Sequence, residues 1–271
     1  MRQNFFEPGT NRWVKPTFLI WGGQALSLVG SQLVQFAIVW WVTQTTGSAT
    51  LLATASLIAL LPQIVLGPFV GALIDRWNRR LIMIVADTVS ALALVVMAYL
   101  FWRNLVSETV IWPIFIVMFV RSLANGFHTP AMQASVSLMV PKEHLSRIQG
   151  LNQVMLGFMA ILGAPMGALM VALLDMHEII LVDIVTAVIA VVPLLFIHIP
   201  QPARPAGTEL AEAGPTVWQD FRSGLRYVFS WRGMVLLMLM AAFINLLLTP
   251  ASSLLPILIT KVFNRGALQL A

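Results

Sequence analysis

The chain has 271 residues, of which 59% are hydrophobic and only 10% are charged, and its mean hydropathy is +0.86. Soluble domains are roughly 45–50% apolar and about 25% charged, so this composition excludes a water-soluble fold and predicts an all-α membrane protein. The net charge of +5 is spread between apolar runs, which argues against a nucleic-acid partner, and the absence of cysteine excludes disulfides and thiolate metal sites.

Seven apolar stretches are long enough to cross a bilayer, since a spanning helix needs roughly 20 mainly apolar residues. They cover residues 17–42, 50–74, 81–101, 110–139, 148–174, 178–199 and 233–259. Polar and turn-forming residues separate the first six at 45–48, 75–80, 103–108, 141–147 and 175–178. Pro130 lies near the end of the fourth stretch, where we expect a kink and an exit into the cytoplasm.

Lysine and arginine are distributed unequally between the two ends of these stretches. If the N-terminus is cytoplasmic, 12 of the 16 basic residues fall on the inner side and three on the outer side. The inner set is Arg2, Arg12, Lys15, Arg76, Arg79, Arg80, Lys142, Arg147, Arg204, Arg222, Arg226 and Arg232, and the outer set is Arg103, Lys261 and Arg265. Because cytoplasmic loops carry the excess of positive charge, we expect a multi-pass protein of a bacterial-type plasma membrane with a cytoplasmic N-terminus.

A connector of different composition lies between the sixth and seventh stretches. It begins with three prolines in six residues, which is typical of a flexible linker, and continues over 216–231 with an amphipathic pattern that predicts a helix on the inner membrane surface. We therefore divide the chain into an N-terminal six-helix transmembrane bundle (1–199), a cytoplasmic connector (200–232) and a seventh transmembrane helix with an outer tail (233–271).

The turn between the second and third stretches carries the most specific motif, Gly71-Ala-Leu-Ile-Asp75-Arg76-Trp-Asn78-Arg79-Arg80. This run resembles the signature loop of the major facilitator superfamily, which has a glycine, then Asp-Arg, then Gly-Arg-Arg or Gly-Arg-Lys. The resemblance implies that the charged side chains hold a cytoplasmic gate closed: Asp75, Arg76, Arg79 and Arg80. It also implies that Gly71 permits close helix packing. Asn78 replaces the usual glycine and tolerates left-handed backbone geometry. The alternative is a basic turn that only sets topology.

Arg121 lies well inside the fourth stretch, where a charge costs at least about 2.5–3.5 kcal/mol and needs a partner or a water-filled cavity. Drug/proton antiporters of the same superfamily carry a similar arginine that faces the central cavity, followed by a glycine, here Gly126. Asp87 and Asp183 are the candidate partners of Arg121 and the candidate proton-coupling carboxylates. A packing ion pair between Arg121 and Asp87 is the alternative. His128 fits either a proton shuttle or a hydrogen-bonded structural histidine.

Gln24, Ser31 and Gln35 lie near one face of the first stretch. Polar groups avoid lipid, so this face lines the bundle core or a cavity, and substrate contact and interhelical hydrogen bonding both remain open.

The fifth stretch contains the run Gly163-Ala-Pro165-Met-Gly167. It resembles, with departures, the Gly-Pro-Gly-Gly motif of antiporters in the superfamily, which implies export. Small residues at this spacing also serve ordinary helix packing, so both interpretations stay open.

Within the superfamily, the segments 23–28, 75–80 and 127–131 and the long connector resemble the macrolide-efflux-like branch. This implies a proton-coupled exporter of hydrophobic, macrolide-like drugs that works by alternating access. Its partners would be the lipid bilayer, a small hydrophobic substrate and protons, and we expect no cofactor, no metal and no enzyme activity. The alternatives are export of another amphipathic solute, such as a siderophore, and a non-functional half-transporter. Branch members normally have a second helical half, so we expect a chain truncated after the seventh helix.

Overall fold

A computed structural model describes residues 13–107, 109–199, 217–263 and 266–267. These residues form eight α-helices and a short π-helical turn, with no β-strand among them. The elements are α1 (Val14–Thr46), α2 (Ala49–Arg76), α3 (Arg79–Trp102), α4 (Trp112–Met139), α5 (Lys142–Leu173), α6 (Met176–Phe196), α7 (Val217–Ser230) and α8 (Arg232–Ile257), then the π-helical turn Leu258–Val262. The prediction of an all-α membrane protein is confirmed.

Five of the described helices are long and apolar enough to cross a membrane: α1, the 49–67 part of α2, α3, α5 and α6. The polar side chains within α4, among them Arg121 and His128, lower its hydropathy, although its 28 residues are also long enough. The described parts of α7 and α8 meet at an angle of 99° and together form a sixth candidate. The stretches predicted from hydropathy lie on α1 to α6 and on α8, and the amphipathic stretch forms α7.

Short turns join α1 to α2 and α2 to α3, and individual residues there cap the helix ends. Gly47 ends α1 with a φ of 55°, a left-handed conformation that glycine adopts without steric cost. Ser48 then accepts a hydrogen bond from the backbone N–H of Leu51 at the start of α2. The predicted break at 141–147 is wrong, because α5 already begins at Lys142. Hydropathy detects the part of a helix in lipid, while the helix itself continues into the polar membrane surface.

The first six helices pack in the order α2, α4, α3, α6, α1, α5 around a common interior, and α4 runs through Pro130 to Met139 without a break. The two larger of three buried apolar clusters occupy the ends of this interior. One includes Leu94 and Ile180 and lies where α1 ends and α2 begins, and the other includes Val70 and lies near the α2–α3 turn. The outward faces are apolar too; the side chain of Leu92 on α3, for example, is 61% exposed. An apolar outer face is what a lipid environment requires.

The short helix α7 contacts α2 through Trp218, whose ring stacks on that of Phe69 with the centroids 6.5 Å apart. Arg222 and Arg226 on the same helix are exposed. Exposed aromatic and basic residues on a short helix are consistent with the predicted membrane-surface position, which remains a prediction. Residues 200–216 lie outside the described residues, so the flexible linker and the division into 1–199, 200–232 and 233–271 remain predictions.

Candidate functional site

A cavity of about 440 Å³ lies in the middle of the bundle, and α1 to α6 all contribute to its wall. Its polar and charged lining consists of Trp21, Gln24, Ser27, Ser31, Gln32, Gln35, Gln63, Asp87, Ser90, Arg121, Ser122, Asn125, His128, Thr129, Gln133, Asn152 and Asp183. The predicted polar face of α1 therefore lines a cavity. Ligand pockets in proteins occupy roughly 300–1,000 Å³, so this one is large enough for a small molecule.

Arg121 pairs with Asp183 across the cavity. One guanidinium nitrogen of Arg121, Nη2, lies 2.6 Å from Oδ2 of Asp183, whose side chain is only 2% exposed. Ser31 completes the group, because its hydroxyl accepts a hydrogen bond from Arg121 Nη2 and donates one to Asp183 Oδ1, both at 3.1 Å. We call Ser31, Arg121 and Asp183 the arginine tier. Of the two predicted partners of Arg121, the structure selects Asp183, and the alternative Arg121–Asp87 pair is not found among the described residues.

Asp87 is contacted by two other side chains. Gln24 Nε2 donates a hydrogen bond to Asp87 Oδ2 at 3.0 Å. His128 Nε2 lies 3.3 Å from Asp87 Oδ1, within ion-pair distance but without hydrogen-bond geometry. The side chains of His128 and Asp87 are 16% and 13% exposed, so the contact is shielded from water. We call Gln24, Asp87 and His128 the histidine tier.

The two tiers repeat one arrangement at a spacing of seven residues. In each tier α1 supplies a neutral polar side chain, Gln24 or Ser31, and α4 supplies a basic one, His128 or Arg121. Seven residues are close to two helical turns, so equivalent side chains lie on one helix face about 10 Å apart. The carboxylates come from α3 and α6. The cavity wall therefore carries two carboxylate sites, one above the other.

Gly30 allows α1 to approach α6 closely beside the arginine tier. A Cβ atom on this glycine would meet Thr186 Oγ1 and would lie 3.0 Å from both Cα and Oδ1 of Asp183. The sequence did not single out Gly30, because nothing in its local pattern shows which helix lies opposite.

We expect Gly30→Ala to destabilise the protein by about 1–3 kcal/mol, since the added methyl group overpacks the contact between α1 and α6. Unfolding of the purified protein in detergent, followed by tryptophan fluorescence, measures the effect. Gly22→Ala is the matched control, because a Cβ there meets no heavy atom within 4 Å and the gain in helix propensity is the same. Equal stability of the two variants would contradict the close approach.

The α2–α3 turn differs from the prediction at two residues. Asn78 has a φ of −70° and caps α3 by accepting a hydrogen bond from Leu81 N–H, so the expected left-handed geometry is wrong. Gly71 is exposed, and a Cβ there would meet no heavy atom within 4 Å. The close packing predicted at Gly71 is therefore not found in the described part of the chain.

Arg80 links this turn to the end of α6. Its guanidinium donates from Nε to the carbonyl oxygen of Leu194 and from Nη2 to that of Leu195. The last carbonyl groups of a helix have no partner within the helix and attract positive charge, so Arg80 caps α6. Arg79 is buried and Arg76 is exposed. The side chain of Asp75 lies outside the described part of the structure, and the gate-closing role of the loop stays a prediction.

The glycines predicted in α4 and α5 differ in how closely a neighbour approaches. A Cβ on Gly167 would lie 2.7 Å from Cβ and Cγ of Phe36 on α1. The nearest atoms to a Cβ on Gly163 and Gly126 are at 3.8 and 3.9 Å, in ordinary contact. Pro165 lies inside α5 and is partly buried. Gly167 thus permits close packing of α5 on α1, while the link between this motif and export remains a prediction.

A polytopic helical bundle with apolar outer faces and a polar, charged cavity defines an integral membrane protein built around a solute-sized site. The chain belongs to the Major Facilitator Superfamily, whose family model matches residues 20–271. The resemblance predicted from the α2–α3 turn is thereby confirmed. The superfamily consists of transporters, so the expectation that the chain is not an enzyme is confirmed as well.

Two relatives are macrolide efflux proteins. The chain is 33% identical over 254 residues to Macrolide efflux protein A of Streptococcus pyogenes. These aligned residues make up 94% of this chain and 61% of the relative. It is 31% identical over 218 residues to Macrolide efflux protein A of Enterococcus faecalis, covering 80% of this chain and 65% of the relative. The MFS-type transporter YkuC of Bacillus subtilis is 29% identical over 178 residues, or 64% of this chain and 40% of the relative. The chain spans less than two thirds of the length of these curated relatives.

Proposed function

We propose that the chain forms part of an exporter of hydrophobic, macrolide-like drugs, driven by protons and working by alternating access. The cavity enclosed by α1 to α6 carries this proposal, because its wall combines polar groups with an arginine and two carboxylates inside an otherwise apolar bundle. The names of the two macrolide efflux relatives support the substrate class. The excess of basic residues on one side supports a cytoplasmic N-terminus in a bacterial plasma membrane.

The lining suits a large amphipathic ligand. Besides its polar groups, the wall includes Leu94, Met118 and Met155, whose flexible or branched apolar side chains can pack against a hydrophobic ring system. Gln35, Gln63 and Asn152 offer hydrogen-bond donors and acceptors to hydroxyl and carbonyl groups of the ligand. A mostly apolar pocket with a few polar groups is the usual form of a small-molecule site.

The resemblance of the Gly163–Gly167 run to an antiporter motif supports export, in which protons entering the cell down their gradient drive the substrate outward. Protonation of a cavity carboxylate, Asp87 or Asp183, changes the charge of the wall and so shifts the balance between the outward-facing and inward-facing states. Arg121 pairs directly with Asp183, which supports a coupling between the charge of this carboxylate and the position of the arginine.

Macrolide accumulation in a sensitive bacterium that produces the complete protein tests the proposal. We expect less accumulated macrolide than in cells without the protein, and a protonophore should abolish the difference. Ser27→Trp fills the cavity and should abolish export, whereas Ser107→Trp, at an exposed site after α3, should not. Unchanged macrolide accumulation in cells with the protein in their membrane would overturn the proposal, and secretion of an iron chelator would then favour the siderophore alternative.

A further inference from the structure

We propose that the histidine tier is the site that takes up and releases the coupling proton, while the arginine tier is a fixed ion pair that exchanges none. This inference rests on the proposed proton-coupled export and assigns the coupling to one of its two candidate carboxylates. The two tiers have the same layout but differ in their basic residue, and that difference decides which tier can accept a proton.

The arginine tier is electrically neutral as it stands. The guanidinium of Arg121 stays charged in proteins and balances the carboxylate of Asp183. A proton added to Asp183 would leave a net positive charge on Arg121 in a bundle with apolar surroundings, and an unpaired buried charge is strongly unfavourable. Asp183 is also held by Ser31, which donates a hydrogen bond to the ionised carboxylate. Charge balance therefore opposes proton uptake at this tier.

The histidine tier, in contrast, carries a net charge before it takes up a proton. With a neutral imidazole on His128, Asp87 leaves the tier with one negative charge, since Gln24 is uncharged. One added proton brings the tier to neutrality, whether it resides on Asp87 or on His128. In a wall that is largely shielded from water, removal of a net charge lowers the electrostatic free energy. Gln24 can remain hydrogen-bonded in both states, because its amide donates to a carboxylate through nitrogen and accepts from a carboxylic acid through oxygen.

The other groups around Asp87 do not change the net charge of the histidine tier. The titratable or charged side chains on the cavity wall, among the residues that the structure describes, are Asp87, Arg121, His128 and Asp183. On α1 the facing groups are amides, hydroxyls and the indole of Trp21, on α2 the amide of Gln63, and on α5 the amide of Asn152. Arg121 and Asp183 neutralise each other, so the histidine tier carries the net charge of the cavity.

The transport cycle then has a defined proton path. A proton from the external solution binds to the Asp87–His128 pair when the cavity is open to the outside. The same proton leaves to the cytoplasm when the cavity opens inward, and the tier regains its negative charge. No bond other than that of the proton forms or breaks, and the arginine tier keeps its charges throughout.

Two assays on the complete protein in proteoliposomes separate coupling from substrate handling. The first measures transport of a radiolabelled macrolide driven by an imposed pH gradient, and the second measures exchange of labelled for unlabelled macrolide at equal pH on both sides. We expect Asp87→Asn to lose gradient-driven transport and to retain exchange. Glu143→Gln, at an exposed carboxylate in the first turn of α5, is the matched control and should retain both.

The outcomes distinguish this assignment from the proposed function. Gradient-driven transport by Asp87→Asn at the wild-type rate would overturn the assignment, and so would a loss of both activities in a variant that elutes from size-exclusion chromatography as the wild type does. Absence of both activities in the wild-type protein would instead overturn the proposed export itself. Asp183→Asn, if it lost only gradient-driven transport, would place the proton at the arginine tier and refute the proposal.

Discussion

Arg121→Gln should lower the free energy of unfolding by about 3–5 kcal/mol, because it leaves the buried carboxylate of Asp183 without its partner. Asp183→Asn should lower it by less, because the side chain of Arg121 is 15% exposed and faces the cavity. The contact between Arg121 Nη2 and Asp183 Oδ2 is 2.6 Å long, and the Asp183 side chain is almost fully buried. Water cannot reach Asp183 to replace the lost partner. Equilibrium unfolding of the purified protein in mixed micelles measures the effect, and each single variant should also reach the membrane in a smaller amount.

The double variant Arg121→Gln/Asp183→Asn provides the control. It removes both charges together and leaves two neutral amides that can hydrogen-bond to each other and to Ser31, so we expect it to be more stable than either single variant. If the two single effects simply added in the double variant, the two side chains would not be coupled and the ion pair would carry no stabilisation of its own.

Gly167→Val is expected to destabilise the protein by about 3 kcal/mol, at the upper end of typical overpacking effects. The first added carbon would lie 2.7 Å from Cβ and Cγ of Phe36, and the Cβ atom of Phe36 is fixed to the α1 backbone. The two helices would have to move apart to relieve the overlap, which would also widen the cavity wall that α1 and α5 share. The midpoint of thermal unfolding in detergent reports the loss.

Two further variants test the cause of this effect. Gly157→Val places the same side chain on the same helix where a Cβ meets no heavy atom within 4 Å, and it should leave the midpoint close to that of the wild type. Phe36→Gly removes both the opposing ring and its Cβ atom, so Gly167→Val combined with Phe36→Gly should be destabilised by less than the sum of the two single effects. Two effects that simply add would show that packing of Phe36 on Gly167 is not the cause.

Hydropathy predicts where the helices lie, and the sequence shows which charged residues lie inside them. It does not show which of these charged side chains contact each other. Asp87 and Asp183 both lay inside apolar stretches within reach of Arg121, and the choice between them depends on the rotation and depth of α3 and α6. The rotation and depth of each helix are set by its packing against the other helices, and the sequence of one stretch alone does not determine that packing. The repeat at a spacing of seven residues on both α1 and α4 was visible in the sequence, and it is the signal that could have predicted two separate tiers.

Close packing at the glycines could not be predicted from the sequence either. A small residue in a membrane helix indicates that a neighbour can come close, but the sequence does not say whether one does. Gly71 is exposed, whereas Gly30, which lies in no recognisable motif, faces Asp183 and Thr186. Asn78 does not replace a left-handed glycine but caps α3 through its side chain. Each case depends on what lies opposite the residue in space.

The two tiers also bear on how the bundle can move. Between them they join α1 to α3, α4 and α6 through side-chain contacts, and Arg80 connects α3 directly to α6. Breaking these polar contacts costs free energy, so they resist independent sliding of the helices. In the proposed alternating access, we therefore expect these four helices to move together and the bending to occur in the segments that flank them.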